Sequence, residues 1–430
     1  MNENQGNQAV QNARTQTTDP KEQKKLFGKF ATMSWTYWFA ACFGSYLTIF
    51  LQSIGWQPHQ VGTLNSLNSA VGVVSTPFWG TLSDKIRSIK KIVIILIITG
   101  ALTYALIPYM DYKIAGISLL FIIIPVSGFF RTPLMSLIDN WTVRASNKHG
   151  LTFGAIRSFG SFSFGVIGLI LGYLVPRMNG ENGNKGTVMT FFGYGFFSIA
   201  LLLVVLWIKE DVQSEGAKKQ KLSEMQFGKL FSNYYYMTYL VYAMLIQIPL
   251  ACVYSFQPYL MKDIGVNTGT IGYITGFKAF IEIPMLILMD KVRNKVPLYV
   301  LLFGSGALYM LESFFYSISG SFTHLLLIGI LQGLGGGLHI AAGSNYVATL
   351  APDNLKATAQ TLNGSMVSLA GIAGNLIGGH IIEAVGIRVF YRGCGFIILF
   401  GLLMFIFSFP FGEKVLKLKR PQIVKHGTGR

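Results

Sequence analysis

Long apolar segments separated by short polar breaks recur along the whole chain. About 20 predominantly apolar residues are needed for a helix to cross the hydrocarbon core of a bilayer. Twelve segments of this kind occur, at residues 31–54, 59–82, 92–110, 115–143, 151–175, 187–208, 235–260, 270–290, 298–318, 322–350, 358–383 and 388–411. The pattern therefore predicts an all-α membrane protein with twelve transmembrane helices.

The composition favours a membrane protein over a soluble domain. Of the 430 residues, 51% are hydrophobic and only 12% are charged, whereas soluble domains carry about 25% charged residues. No phosphate-binding loop, metal-ligand spacing or nucleophile triad is present. We therefore expect no enzyme activity, no metal and no cofactor, and we expect the lipid bilayer to be the main partner, with no nucleic acid and no obligate protein partner.

The net charge of +17 reflects cations in alternate loops. Loops on the cytoplasmic side of a membrane protein are enriched in Lys and Arg. The cations cluster before the first segment and after the second, sixth, eighth and twelfth: Lys21, Lys24, Lys25, Lys29, Lys85, Arg87, Lys90, Lys91, Lys209, Lys218, Lys219, Lys221, Lys291, Arg293, Lys295, Lys414, Lys417, Lys419 and Arg420. This bias predicts a multi-pass protein of the cell membrane with both termini in the cytoplasm.

The longest interior polar break divides the chain into two sets of six segments. We predict a disordered cytoplasmic tail at 1–28, an N-terminal six-helix bundle at 29–208, a cytoplasmic linker at 209–230, a C-terminal six-helix bundle at 231–411 and a second tail at 412–430. A repeat supports this division, because Asp84-Lys85-Ile86-Arg87 after the second segment returns as Asp290-Lys291-Val292-Arg293 after the eighth. Transporters built from parallel repeats place their substrate site between the halves.

Charged residues inside the apolar segments are the strongest sign of a site. Ionised groups in a membrane cost at least roughly 2.5–3.5 kcal/mol each, so they face a partner or a water-filled cavity. Arg131, Asp139 and Arg157 lie in the fourth and fifth segments, and Asp139 and Arg157 are equally far from Lys148 in the connecting turn. We expect these two to lie at one depth on antiparallel helices, as an ion pair or around a shared ligand.

Two further carboxylates lie inside segments of the second half. Glu282 is four residues after Lys278, so the two share one helix face and are expected to pair. Glu312 lies in the ninth segment. A proton-coupled carrier needs a carboxyl group that changes protonation as its surroundings change, so the candidates for proton coupling are Asp139, Lys278, Glu282 and Glu312. The alternative for Asp139 and Glu282 is a permanently paired structural ion, and the alternative for Glu312 is a side chain that reaches the membrane interface.

The repeated loop resembles the signature of the major facilitator superfamily. Gly80, Asp84, Lys85, Arg87, Lys90 and Lys91 match its spacing, with Arg87 in place of the usual glycine. The resemblance implies the major facilitator fold of two six-helix bundles. It also implies that the loop residues and their counterparts hold the halves together and yield during alternation. The gating candidates are Gly80, Asp84, Lys85, Arg87, Asp290, Lys291 and Arg293.

Within that superfamily the chain is most similar to the lactose-permease-like oligosaccharide:proton symporters and the related phenylpropionate-permease-like group. Phe153-Gly154-Ala155-Ile156-Arg157-Ser158-Phe159-Gly160 resembles the segment whose arginine binds sugar. The resemblance places Asp139 at a sugar-binding carboxylate and Phe164 at a sugar-stacking aromatic position. Since a sugar needs an aromatic face and hydrogen-bonding groups, the substrate-binding candidates are Asp139, Arg157, Phe164, Arg131, Gln257 and Asn345.

These observations predict a secondary active transporter that moves a small polar solute, a sugar or oligosaccharide, in symport with protons by alternating access. Two alternatives use the same scaffold: a proton-coupled efflux pump for drugs or sugars, and a nucleoside or aromatic-acid symporter. A membrane sensor without transport activity is a third class. The proton gradient would supply the energy in place of any cofactor.

Overall fold

The chain is described by a computed structural model that covers residues 20–114, 116–180, 183–209, 230–292, 295–352 and 355–419. The first segment holds helix α1 (Pro20–Cys42), a 3-10 turn (Phe43–Tyr46) and α2 (Leu47–Ser53). The other helices are α3 (Pro58–Ile86), α4 (Ile89–Leu106), α5 (Leu120–His149), α6 (Phe153–Asn179), α7 (Lys185–Trp207), α8 (Tyr234–Asp263), α9 (Ile271–Val292), α10 (Leu298–Ile318), α11 (Phe322–Leu350), α12 (Lys356–Val385) and α13 (Ile387–Lys414).

The predicted all-α membrane fold is confirmed, with small changes at segment ends. Helices occupy each predicted segment, and nine of the described helices are long and apolar enough to cross a membrane. Residues 20–28, predicted to be disordered, belong to α1. A hairpin of β1 (Lys113–Ile114) and β2 (Ile117–Ser118) begins just before segment 115–143 and ends inside it. Residues 1–19, 210–229 of the linker and 420–430 lie outside the described residues.

The helices form two halves, α1–α7 and α8–α13, whose main contacts run between α6 and α9 and between α3 and α12. We call the end of the molecule that carries Pro20 and Lys419 the terminal face, and the opposite end the distal face. On the distal side one apolar core contains buried residues of both halves, such as Trp56 and Phe390. On the terminal side each half has a separate core. The halves are therefore joined distally and parted toward the terminal face.

Hydrogen bonds between the halves confirm that the distal side is closed. Four side chains donate to backbone carbonyls of the other half: Tyr46 Oη to Gly269 O at 3.2 Å, Gln52 Nε2 to Pro258 O at 3.3 Å, Tyr259 Oη to Trp56 O at 2.7 Å and Ser66 Oγ to Ile372 O at 2.7 Å. In addition, His59 Nδ1 lies 2.6 Å from Glu383 Oε1. Each partner lies in the distal part of its helix or in a distal turn. The set seals the distal side of the space between the halves.

The sequence repeat has a structural counterpart at the terminal face. Asp84 precedes the last residue of α3, Ile86, by two positions, and Asp290 precedes the last residue of α9, Val292, by the same number. Arg87 follows α3 with φ 57° and ψ 30°, the left-handed conformation of a helix C-cap. An arginine thus adopts the backbone geometry for which glycine is the usual residue.

The left-handed conformation of Arg87 leads to a stability prediction. An L-residue with a Cβ pays roughly 1–2 kcal/mol in this region, whereas glycine does not. We expect Arg87→Gly to maintain or raise the melting temperature of the detergent-purified protein, and Arg87→Val to lower it, because a β-branched side chain fits this conformation least well. A melting temperature lower for Arg87→Gly than for Arg87→Val would contradict the assigned cap.

Candidate functional site

A cavity of about 640 Å³ lies between the two halves near the middle of the helices. Because the distal side is sealed, access is from the terminal face. Its walls combine hydrogen-bonding and apolar side chains, including Trp38, Thr48, Asn65, Asn68, Met135, Arg157, Ser161, Phe164, Tyr254, Gln257, Thr275, Lys278, Glu282, Gln332 and Asn375. Both halves contribute, so a molecule bound here contacts both.

Arg157 of α6 is the central charge of the N-terminal wall. Its Nη1 donates to Ser161 Oγ at 3.1 Å, and its guanidinium lies 4.0 Å from the centre of the Trp38 ring. The positive charge interacts electrostatically with Asp139 of the same half and with Glu282 across the interface. Asp139 is half-buried behind the cavity lining. The predicted Asp139–Arg157 association is thus electrostatic, and Glu282 belongs to the same cluster.

Glycine packing fixes the aromatic part of this wall. A Cβ at Gly160 of α6 would collide with Cδ1 of Trp38 and approach Ser34 Oγ to 2.8 Å. The absence of that Cβ lets the indole of α1 lie directly against α6. Phe164, one turn beyond Gly160, packs edge-on against the indole with ring centroids 6.0 Å apart. Trp38 and Phe164 together present an aromatic surface beside the Arg157 guanidinium.

The charges of the C-terminal half are arranged differently from the prediction. Lys278 points away from Glu282, and its ammonium donates to Gln257 Oε1 at 3.3 Å. Gln257 Nε2 in turn donates to Tyr316 Oη at 3.1 Å. The predicted Lys278–Glu282 pair is therefore wrong, because the long lysine side chain follows the packing between α8 and α10 rather than its own helix surface.

Glu312 of α10 lies behind this group and outside the cavity lining. It is 1% exposed, and neither carboxylate oxygen has a hydrogen-bond partner among the described residues. Lys278 is the cation that interacts with it electrostatically. A buried carboxylate without hydrogen bonds is unusual and costly, so Glu312 depends on the electrostatic interaction with Lys278.

Two residues predicted to bind substrate lie elsewhere. The guanidinium of Arg131 is held inside the N-terminal half between Tyr104 and Tyr194, 3.7 Å and 4.3 Å from their ring centres. A cation between two aromatic faces is stabilised by their quadrupoles, and this explains a half-buried arginine outside the cavity lining. Asn345 of α11 also lies outside the lining.

The gating candidates lie at the terminal face, where the structure describes only some of them. Asp84 Oδ1 accepts from Arg144 Nη2 of α5 at 3.4 Å, a contact within the N-terminal half. Lys85 and Arg87 are exposed, and nothing lies within 4 Å of a Cβ at Gly80. The side chains of Asp290 and Lys291, and the whole of Arg293, lie outside the described residues. Their gating role stays a prediction.

Several residues that line the cavity were not predicted from the sequence. Asn65, Asn68, Gln332 and Asn375 are uncharged, and such residues are common in membrane helices for packing reasons. Trp38 also gave no distinct signal, although its position in the middle of the first segment differs from the usual place of tryptophan at the membrane interface. No cluster of three metal-ligating side chains occurs within the portion of the chain that is described.

Comparison with known proteins gives a family match over most of the chain. Residues 31–393 match the model of the MFS_1 like family. Transporter YwbF of Bacillus subtilis is 25% identical over 354 residues, which cover 80% of this chain and 82% of that protein. Maltose permease of Geobacillus stearothermophilus is 23% identical over 348 residues, covering 80% and 84%. Multidrug resistance protein MdtG of Enterobacter lignolyticus is 21% identical over 367 residues, covering 83% and 85%.

Solved structures show the same fold. The nucleoside transporter NupG superposes with a TM-score of 0.71 and 17% identity over 89% of this chain and 99% of its own. A bacterial homologue of the lysosomal transporter Spinster, in an inward-facing and occupied conformation, gives a TM-score of 0.68 with 12% identity over 94% and 100%. At these identities the likeness concerns the fold.

Proposed function

Because the chain belongs to the MFS_1 like family of major facilitator membrane transporters, we propose that it imports a sugar or small glycoside together with protons. The observation that carries the proposal is the cluster of Arg157, Asp139 and Glu282, which joins the two halves electrostatically at a cavity between them. A solute that contacts this cluster interacts with both halves at once. Its binding therefore affects their relative position.

The cavity wall favours a hydroxyl-rich solute. Asn65, Asn68, Gln332 and Asn375 line it, and side-chain amides both donate and accept hydrogen bonds, as sugar hydroxyls do. Trp38 and Phe164 offer an aromatic surface for the apolar face of a sugar ring. The volume of about 640 Å³ lies within the roughly 300–1,000 Å³ of small-molecule sites. Maltose permease among the relatives agrees with this choice.

The charges of the C-terminal half favour coupling to protons over coupling to sodium ions. Glu312 and the carbonyl oxygen of Gln257 are the kind of oxygen ligands that a sodium ion needs, but the Lys278 ammonium already interacts with both. A second cation there would be repelled. Protonation of Glu312 instead removes the negative charge of the pair. We therefore propose Lys278 and Glu312 as the coupling pair, with Asp139 and Glu282 nearer to the solute.

The direction of transport depends on the side to which the cavity opens. The cation-rich loops belong to the terminal face, which by the positive-inside rule is cytoplasmic. With this orientation in the cell membrane, the present structure is an inward-facing state. Import requires the distal contacts to open and the terminal face to close, with the gating candidates Asp84 and Asp290 at the ends of α3 and α9.

Uptake into proteoliposomes with an imposed pH gradient, acidic outside, tests the proposal. We expect radiolabelled maltose or another sugar of a panel to accumulate, and accumulation to disappear when a protonophore collapses the gradient. The panel includes uridine and 3-phenylpropionate as probes for the alternative symporters. Ethidium extrusion would support the efflux pump. Accumulation of no sugar, with one of these other probes moving instead, would reject the proposed substrate class.

The aromatic wall provides a prediction on affinity. Gly160→Val forces the Trp38 indole away from α6 and separates it from Phe164 and Arg157. We expect binding of the sugar found in the panel to weaken about tenfold or more, a loss of about 1.4 kcal/mol, in isothermal titration of purified protein. The control is Gly195→Val on α7, since no atom lies within 4 Å of a Cβ at Gly195. Equal affinity for the two variants would contradict the role of this surface.

A further inference from the structure

Gln257 connects the proposed coupling pair to the cavity. It is 2% exposed, lines the cavity, accepts from the Lys278 ammonium and donates to Tyr316. Tyr316 also lies in the electrostatic field of Glu312. The oxygen of the glutamine amide is thus bonded to Lys278, a member of the pair, and its nitrogen is bonded to Tyr316 beside the pair. A change in the position of Lys278 removes a partner from Gln257.

The next two residues of α8 contribute to the distal closure. The carbonyl of Pro258 accepts from Gln52 of α2 at 3.3 Å, and the hydroxyl of Tyr259 donates to the carbonyl of Trp56 at 2.7 Å. Three consecutive residues therefore contact the charged pair and the opposite half.

The local backbone allows this segment to move. Pro249 and Pro258 lie inside α8, and a proline removes one backbone hydrogen bond and loosens the helix around it. Pro258 has no backbone N–H to donate to the carbonyl of Tyr254 one turn earlier, so the helix around Gln257 lacks one of its hydrogen bonds. Because the three residues are consecutive in the chain, a displacement of the backbone at Gln257 also moves Pro258 and Tyr259.

We infer that the segment Gln257–Tyr259 transmits the charge state of the Lys278–Glu312 pair to the distal closure. With both groups charged, Lys278 stays bonded to Gln257 and the distal side is closed, as in this structure. Protonation of Glu312 removes the counter-charge of Lys278, releases Gln257 and weakens the bonds at Pro258 and Tyr259. This inference rests on the proposed proton coupling and adds the route by which protonation opens the distal side.

The other titratable groups around Glu312 are mainly phenols, with one histidine and one further carboxylate. Phenols surround it: Tyr254 on α8, Tyr309 and Tyr316 on α10, and Tyr391 on α13. Phenols titrate near pH ~10 and stay neutral in the range used below. On α11, His339 faces Ser305 and Gln247 within the C-terminal half. On α9, Glu282 interacts electrostatically with Tyr309 and with Arg157.

Pulsed electron paramagnetic resonance measures the distal opening without any solute. Nitroxide labels are attached to Lys185→Cys and Gly320→Cys, which are exposed positions in the two halves at the distal face, while the native cysteines are buried. We expect acidification to increase the long-distance population in the otherwise unaltered protein. In Gln257→Leu, and in Tyr316→Phe as a second variant, we expect this pH response to be lost.

The matched control is Gln247→Leu, a glutamine of the same helix that contacts His339 instead of the pair. It should keep the full pH response. A full response in both Gln257→Leu and Tyr316→Phe, or an equal loss in Gln247→Leu, would overturn the inference. Because no solute is present, the result is separate from the transport assay. Sugar uptake coupled to protons together with a full response in both Gln257→Leu and Tyr316→Phe would reject this route alone.

Discussion

Gly168→Val should trap the protein with its distal face open and remove net uptake. A Cβ at Gly168 of α6 would lie 2.8 Å from Gly276 Cα and 2.9 Å from Gly272 O of α9. A Cβ at Gly276 would in turn lie 2.7 Å from Gly165 O. The two backbones are therefore in direct contact, and no neighbouring side chain can move aside. The distal closure depends on the absence of these side chains.

The size of the effect follows from the cost of overpacking. Extra atoms in a packed interface cost roughly 1–3 kcal/mol, and about 1.4 kcal/mol corresponds to a tenfold change in an equilibrium constant. The closed state should thus lose about ten- to a hundredfold in population. Proteoliposome uptake measures the loss of transport. The nitroxide labels at positions 185 and 320 measure the longer distance between the two halves at the distal face.

Gly154→Val is the control on the same helix, since no atom lies within 4 Å of a Cβ at Gly154. It should leave uptake and the distal distance near those of the unaltered protein. Normal uptake by Gly168→Val would show that α6 and α9 need not approach this closely during transport, and the described closure would then lie outside the transport cycle.

Glu312→Gln should abolish accumulation driven by the pH gradient while exchange of solute across the membrane continues. The amide cannot release a proton, so solute movement no longer carries one. The change also leaves the Lys278 ammonium buried without its counter-charge. Removing one of two opposite buried charges leaves the other uncompensated and destabilises the folded state, so the melting temperature should fall as well.

The double variant Lys278→Gln/Glu312→Gln separates coupling from stability. With neither charge present, the melting temperature should recover toward that of the unaltered protein, whereas accumulation should stay absent. Counterflow of labelled sugar measures the retained exchange. Accumulation that persists in either variant would exclude Glu312 as the coupling acid and leave Asp139 and Glu282 as candidates.

The sequence alone was sufficient for the all-α membrane fold and for locating the charged residues inside its helices. Apolar segments of membrane length define the helices, and ionised residues such as Arg157 and Glu312 stand out in them because hydrocarbon burial is costly. The matching positions of Asp84 and Asp290 at the ends of α3 and α9 also followed from the repeat. These features depend on the residue types within short stretches of the chain, so they can be recognised in one sequence.

The directions in which side chains point could not be predicted from the sequence. Lys278 shares a helix face with Glu282, but its ammonium reaches Gln257 of another helix, and Arg131 enters a cage made by Tyr104 and Tyr194. Both outcomes depend on helix packing at a distance in sequence. The role of Gly160 in admitting the Trp38 indole likewise appears only when α1 and α6 are placed together.

The most direct test is to record proton and sugar movement in one sample. Weakly buffered proteoliposomes without any ion gradient receive the sugar identified in the uptake panel, and a pH electrode follows the external medium. We expect the medium to become alkaline as sugar enters, and we expect this change to be absent with Glu312→Gln although sugar still equilibrates. Sugar entry through the unaltered protein at constant external pH would contradict the proposed coupling.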